Sequence, residues 1–393
     1  MGMRVAVVGA GIGGLVLAAG LQRDGHRVRV HERRADAGTS GAGLTLFGNA
    51  FAALDAVGLG DDVRAVSGTG LAGLRAGQRR PSGRWLAVLP PEATASSRSV
   101  HRADLHRVLL ARLQDGSLRT GSPVTVSGDG SPVLRTPDGE EEHDLVVAAD
   151  GLRSTSRRVL GLDTGTRPAG YTAWRGVTRG PLDVGGQAGE TWGRGQRFGI
   201  VPLPDGRVYW FATATTPGSP ESPASPASPG SADEHDAVRE RFATWHDPVP
   251  ACVDATARED VLRHDVHDLA RPLASFVKGR TVLLGDAAHA MTPDLGQGAG
   301  QAVEDAATLV VLLRSNPGTG DGLAAALARY DHERRRRTAV LARRSRLVGA
   351  VGQLSHPLAV AVRDGVLRAT PAAALARAAE QVQRWTPPAP ARR

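Results

Sequence analysis

Cysteine occurs once, at Cys252, so an intrachain disulfide and any cysteine-based metal cluster are excluded, and no metal site is expected. Lysine also occurs once, at Lys278, which leaves nearly all of the positive charge to arginine. Aromatic residues are scarce at 4%, and no basic stripe with interleaved aromatics is present. A nucleic-acid partner is therefore not expected despite a net charge of +8. The balance of 48 Lys plus Arg against 40 Asp plus Glu fits an arginine-rich surface that attracts anionic substrates or nucleotide phosphates. Long apolar runs are missing as well. The nearest, Val5 to Leu21, is interrupted by Gly9, Gly11, Gly13 and Gly14 and has neither a charged leader nor a cleavage site. No membrane span and no signal peptide are expected, and the lone cysteine fits a reducing, cytoplasmic setting.

The chain is organised around what is present in that first stretch. Arg4 to Val8 is a short valine-rich run that reads as a buried strand. It leads into Gly9-Ala10-Gly11-Ile12-Gly13-Gly14, which satisfies G-x-G-x-x-G, then into helical spacing from Leu15 to Arg23. A second strand, Arg27 to His31, ends on Glu32, at about the spacing of the acid that holds an adenosine ribose. Gly9 permits the tight turn, Gly11 lets backbone approach a pyrophosphate, and Gly14 allows close helix–strand packing. The helix N-terminus offers unpaired N–H groups to phosphates. A bound dinucleotide follows, but this motif alone leaves FAD and NAD open. No second G-x-G-x-x-G and no C-x-x-C exist, so a dedicated nicotinamide domain and a redox-cysteine pair are not expected.

Further along, Gly41 to Phe47 reads as a strand and Asn49 to Val57 as a helix. Leu71 to Arg75 and Trp85 to Leu89 read as short strands separated by turn signals at Gly77 and Pro81-Ser82-Gly83. Val124 to Val126, Val133 to Thr136 and Asp144 to Ala149 are further strands, the last running into Asp150-Gly151. From Tyr171 to Thr213 strands follow one another without helices, which predicts a separate antiparallel sheet. Thr215 to Asp233 is Pro/Ser/Ala-rich and reads as a mobile loop, and Val238 to Trp245 as a short helix. Thr281 to Leu284 is a buried strand before Gly285-Asp286-Ala287-Ala288-His289, and Gly300 to Leu313 is a helix. The remainder, Leu323 to Trp385, is mainly helical, with Arg334 to Arg337 expected on a solvated face.

Three stretches together resemble the class A flavoprotein monooxygenases, single-component enzymes of the para-hydroxybenzoate hydroxylase fold. They are GAGIGG at Gly9 to Gly14 with Glu32, ADGLRS at Ala149 to Ser154, and GDAAHAMTPDLGQG at Gly285 to Gly298. GYTAWRG and GQRFGIVPLPDGRVYWFAT are most similar to the branch of urate, salicylate, 3-hydroxybenzoate and 6-hydroxynicotinate hydroxylases. The resemblance implies an α/β (α+β composite) fold. Residues 1–75, 96–165 and 270–330 would form a discontinuous Rossmann-like FAD-binding domain, 76–95 and 166–269 an inserted antiparallel-sheet substrate domain, and 331–393 a C-terminal helical region. It implies non-covalent FAD, NAD(P)H as a transient co-substrate, O2, and a small aromatic substrate hydroxylated through a flavin C4a-hydroperoxide. The chain would be a monomer or homodimer. Cofactor contacts are carried onto Gly9, Gly11, Gly13, Gly14, Glu32, Arg33, Arg102, Asp150, Asp286, Gly296, Gln297 and Gly298, with Arg153 beside Asp150. Pro293 would fix the loop beside the isoalloxazine ring. Arg197 and Tyr209, on adjacent strands, match in type and position an arginine and a tyrosine of the urate-hydroxylase branch, and are the expected substrate-site pair. His289 reads as a structural histidine. Absence of W-x-W-x-I-P argues against a flavin halogenase. An epoxidase of an isoprenoid or polyketide alkene, or a non-catalytic flavin-binding module, are the alternatives.

Overall fold

The computed structural model describes residues 2–36, 42–215, 228–229, 232–315 and 320–389. The valine-rich runs of the N-terminal and middle segments meet in a six-stranded sheet. Its order is Val277–Lys278, Thr281–Leu283, Leu145–Ala148, Arg4–Val8, Arg27–His31, Leu118–Arg119. The last five strands pair in parallel, and Val277–Lys278 closes the edge as an antiparallel hairpin. Every residue of Leu145–Ala148 is buried, as a parallel strand covered on both faces requires. The helix Ile12–Arg23 is buried along nearly its whole length, because it lies between this sheet and the helix Gly298–Ser315. Gly20 is where the two helices touch: a Cβ there would stand 3.1 Å from Val310.

The second sheet has eight strands in the order Ser228–Pro229, Leu262–Leu269, Thr166–Val177, Val208–Thr215, Gln196–Pro202, Gln187–Trp192, Arg75–Arg79, Trp85–Val88. Alternation divides its two faces. Phe198, Ile200, Val208, Trp210 and Ala212 pack against Val238, Phe242, Val249 and Cys252 of the helices Ala232–Phe242 and Val249–Asp254. The opposite face carries Arg175 beside Phe211, Val177 beside Tyr209, Arg197 beside Thr213, and Ala173 beside His264. That face turns inward: Tyr209 lies against Gly43 of the strand Gly43–Leu46, and Tyr171 reaches Asp294 in the turn Pro293–Leu295.

The four strands read between Tyr171 and Thr213 form in that order, and the composite α/β fold is the one expected. Four local expectations are corrected. Leu71 to Leu74 is turn rather than strand, because Gly70 and Gly73 take φ of +59° and +80°; the strand begins at Arg75. Gly77 is no turn signal but lies inside that strand at φ +154°, where a Cβ would stand 2.1 Å from the carbonyl oxygen of Ala87. The run Arg334 to Arg337, on the helix Asp321–Gly352, is not a solvated face. Arg334 is buried and Arg337 partly so, and both point at Glu304 of the neighbouring helix. The helix expected from Val238 starts earlier and ends at Phe242, with Trp245 folded edge-on beneath that ring at 4.7 Å. The Pro/Ser-rich segment 215–233 lies largely outside the described residues, and so does Gly41.

Candidate active site

The glycines of the first turn do different jobs. Gly9 holds φ +107°, and a Cβ on it would lie 2.5 Å from the carbonyl oxygen of Ala149. A Cβ on Gly14 would lie 2.2 Å from the Gly9 oxygen, and one on Gly13 2.6 Å from Leu284. Gly11 is the exception, with nothing within 4 Å of its Cβ position. It is the N-cap of Ile12–Arg23, and no side chain caps the helix. The first N–H groups of that helix therefore open onto a concavity with a positive dipole end behind them. Glu32 spans the gap from the second strand, accepting from the N–H of Ala10 and of Arg34, each at 3.0 Å. His106 Nε2 lies 2.8 Å from the Ala10 carbonyl oxygen and steadies the turn from the other side. Arg33 is exposed beside Glu32.

A second wall faces the first. Gly285, at φ +63°, ends the strand Thr281–Leu283, and Asp286 follows with an exposed carboxylate that no protein donor reaches among the described residues. Arg102, at the start of the helix Arg102–Leu110, lines the same hollow: its side chain is accessible yet enclosed. That enclosure pushes its pKa below the ordinary guanidinium value, against the opposing pull of Asp286. Pro293 and Gly296 are exposed, and Gly296 holds φ +63° with Phe47 3.3 Å from its Cβ position. Gly298 opens the helix Gly298–Ser315 with nothing within 4 Å, a second helix N-terminus facing open space. Gln297 points inward instead, its side-chain oxygen accepting from Asn49 at 2.9 Å.

Beneath both walls lies a buried ionic network that the sequence does not announce. Arg334 donates to Asp305 at 2.5 Å, to Glu304 at 2.6 Å and to the Gln301 side chain at 2.8 Å. Arg337 adds a second pairing to Glu304, and Asn49 donates to Glu304 at 2.6 Å. Asp305 accepts from His289 at 2.5 Å and from the N–H of Gly285 at 2.9 Å, so His289 is structural. Burial would raise the pKa of Asp305, but His289 and Arg334 overcome it and the carboxyl sits below its ordinary range. Glu304 is likewise lowered against its burial, by Arg334 and Arg337. The network ties the Asp286 strand end to Gln297 through side chains already ionised and paired.

The structure separates the expected substrate-site pair. Tyr209 is on the inner face, buried, with its pKa raised by that burial and opposed by Arg175 and Arg102. Arg197 shares the face but lies beside Thr213, four residues further along the adjacent strand, and is fully enclosed. It is not a surface strand residue. Its guanidinium donates to Glu190 at 2.6 Å and 3.0 Å and to Asp294, which also accepts from Tyr171 at 2.8 Å. Burial would lower its pKa; the two carboxylates outweigh that and raise it. Asp150 is similarly committed. Ser154 and the N–H of Ser156 donate to its two oxygens at 2.5 Å and 2.9 Å, capping the turn into Thr155–Val159. Arg153 beside it is exposed. Two inner-face residues went unselected in the sequence. Arg175 is half-buried and pairs with no carboxylate among the described residues. The pKa of His264 is pushed down to about 4, by burial and then by Arg175 and Arg102, with Nδ1 unpartnered among the described residues. Alternation from Ala173 to Val177 was the available signal for Arg175.

Comparison with known proteins places this geometry. The family model described as an FAD binding domain matches residues 2–345. The chain belongs to that family. The flavoprotein is 37% identical over 376 residues to an aurachin C monooxygenase/isomerase of Stigmatella aurantiaca, covering 93% of this chain and 94% of that protein. It is 33% identical over 387 residues to a 2-heptyl-3-hydroxy-4(1H)-quinolone synthase of Pseudomonas aeruginosa, covering 95% and 96%. The crystal structure of Klebsiella pneumoniae HpxO with FAD and uric acid superposes with a TM-score of 0.83 at 29% identity, covering 97% and 96%. This flavoprotein is an FAD-dependent monooxygenase. Its residues fit the cofactor: an uncapped helix end at Gly11, a second helix start at Gly298 with open space at its Cβ position, and a carboxylate at Asp286 that lacks a donor among the described residues. On this basis, Gly11→Val should leave the fold intact, since its Cβ meets nothing, yet weaken FAD by at least about tenfold, the worth of one lost phosphate contact. Thermal melting and FAD titration of the apoprotein measure the two effects. Gly14→Val is the contrast and should fail to fold, because its Cβ would enter the Gly9 carbonyl.

Proposed function

We propose that this monooxygenase hydroxylates an electron-rich heteroaromatic ring whose ring oxygen is held, as it gains negative charge, by Arg175 and Tyr209. The observation that carries the reading is Arg175: half-buried on the inner face, near enough to Tyr209 to oppose the rise that burial gives that phenol's pKa, and with no carboxylate partner among the described residues. A guanidinium so placed is built for an oxygen that becomes anionic during reaction. Arg102 adds positive potential from the opposite wall, with Asp286 as its counter-charge. Phe211 supplies an apolar wall, its ring lying across Gly199, where a Cβ would be 2.1 Å away. His264, neutral at pH 7, is too weak a base to take a proton but can accept a hydrogen bond at Nδ1.

Asp286, Glu32 and the helix ends behind Gly11 and Gly298 would hold FAD, with Arg102 toward its phosphates and Pro293 and Gly296 beside its ring. When bound, FAD carries two electrons from NAD(P)H to O2 and supplies an electrophilic oxygen. The overall balance is ring C–H, NAD(P)H, O2 and a proton giving ring C–OH, NAD(P)+ and water. Arg197 acts at one remove, by holding Asp294 and with it the Pro293–Leu295 turn. The names of two relatives support a heteroaromatic substrate: one forms a 3-hydroxy-4(1H)-quinolone, and an FAD-dependent urate hydroxylase of Klebsiella pneumoniae is 33% identical over 350 residues.

The test is steady-state NAD(P)H oxidation with a 4-quinolone, urate, salicylate and an isoprenoid alkene, followed by mass analysis of the product. A heteroaromatic should raise the rate at least about tenfold, roughly 1.4 kcal/mol of barrier, and gain one oxygen atom. Arg175→Met should keep FAD but lower kcat/KM by about ten- to a hundredfold, the worth of a hydrogen bond to a charged group. Unchanged kcat/KM in that variant would remove Arg175 from the substrate site. A rate increase with the alkene alone, yielding an epoxide, would replace hydroxylation by epoxidation.

A further inference from the structure

The helix Pro357–Ala369 is mounted inside out. Its charged residues Arg363 and Asp364 are buried at 4% and 2% exposure, whereas Leu358, Val362 and Val366 stand 72%, 66% and 61% exposed. These three recur at i, i+4 and i+8 and so form one stripe, widened by exposed Ala361, Gly365 and Ala369. The helix is fixed in this orientation by its polar side. Asp364 accepts from Arg80 at 2.7 Å and from Arg363 at 2.9 Å, while Arg363 also donates to the Gly193 carbonyl at 3.1 Å and lies over the Trp192 ring. On the helix before it, Arg336, Val340, Arg343 and Leu347 are all exposed at spacings of four, three and four, so basic and aliphatic residues alternate along one outer line.

We propose that this outer face docks on the surface of an anionic lipid bilayer. Charge decides the occupant. From Arg335 to Ala379 the only acidic residue is Asp364, which is buried and paired, while Arg336, Arg343, Arg344, Arg368 and Arg377 are exposed. A second copy of the chain would bring this patch against itself, as a two-fold interface must. The arginine fringes would then meet with no exposed acid between Arg335 and Ala379 to pair. An aliphatic stripe with a purely basic fringe is the pattern of a helix lying in a headgroup layer. No helix among the described residues is long and apolar enough to cross a membrane, so the contact is peripheral.

The full-length, FAD-loaded protein should co-sediment with vesicles containing phosphatidylglycerol and stay in the supernatant with phosphatidylcholine alone. Replacing Leu358, Val362 and Val366 together by serine should lower partitioning at least about tenfold. The pair Arg343→Glu and Arg368→Glu should do the same and blunt the dependence on salt. All five side chains face outward, so flavin content and circular dichroism should not change. Absence of binding to phosphatidylglycerol vesicles overturns the proposal, and so does undiminished binding by the triple-serine variant. Sedimentation velocity provides the remaining arm: a dimer that the serine variant dissolves, without vesicle binding, assigns the face to a second copy instead.

Discussion

Replacing Arg334 by leucine should cost about 3–5 kcal/mol of stability, the expected penalty for removing one partner from a buried ion pair. Glu304 and Asp305 have no exposure to solvent; Glu304 would keep Arg337, and Asp305 would keep only its hydrogen bonds to His289 and to the N–H of Gly285. Set against the roughly 5–15 kcal/mol that holds a typical domain together, the loss is large. Urea denaturation of wild type and variant measures it, and the pH dependence identifies its origin. Both carboxyls have pKa values lowered in the folded wild type, so their contribution is fully present above the unfolded carboxylate pKa and is lost as pH falls through the folded value. The gap between wild type and variant should therefore hold from pH 7 down to about pH 4 and shrink on further acidification. A gap that is constant with pH would mean that Arg334 acts through packing alone. Combining Arg334→Leu with Asp305→Asn should recover part of the loss, since an amide has no charge to strand. Asp305 also holds the N–H of Gly285, so the single variant should bind FAD more weakly as well.

The Asp286→Ala variant should bind FAD about ten- to a hundredfold more weakly while keeping the melting temperature of the wild type. The carboxylate is exposed and accepts no hydrogen bond from the protein among the described residues, so its removal strands no partner inside the fold. What is lost is a charge-assisted hydrogen bond to the cofactor, about 1.5–3 kcal/mol. Asp286→Asn keeps an acceptor and should fall between the two. Quenching of flavin fluorescence on titrating apoprotein gives the dissociation constants directly. An unchanged constant in Asp286→Ala would show that the carboxylate serves only to offset Arg102. Loss of the melting temperature would show that it stabilises the turn after Gly285.

Much of this molecule is written locally. The turn at Gly9 to Gly14, the strand Leu145–Ala148 and the strands between Thr166 and Thr215 follow from short-range features: a missing Cβ, a continuous apolar run, an alternation of period two. Even Gly77 was legible as unusual, although its reason lies across the sheet at Ala87 rather than in a turn. Failures of sequence reasoning begin where a charged side chain has a choice of partners. Arg334 belongs to an arginine run that reads as solvated, and its acids lie on another helix about thirty residues upstream. Arg197 has the type and strand expected of a substrate contact, and its pairing with Glu190 and Asp294 could not be read from the sequence. Arg175, which the sequence reading did not select, has no carboxylate partner among the described residues. The helix Pro357–Ala369 carries an amphipathic pattern whose period is plain, but the pattern does not say which side faces the body. The sequence by itself determined the FAD-binding architecture and the face on which each strand residue falls, because backbone sterics and hydrophobic period act over a few residues. Tertiary structure alone decided which arginines pair with buried carboxylates and which face of the outer helix is bare, because ion pairing depends on partners that only packing brings within reach.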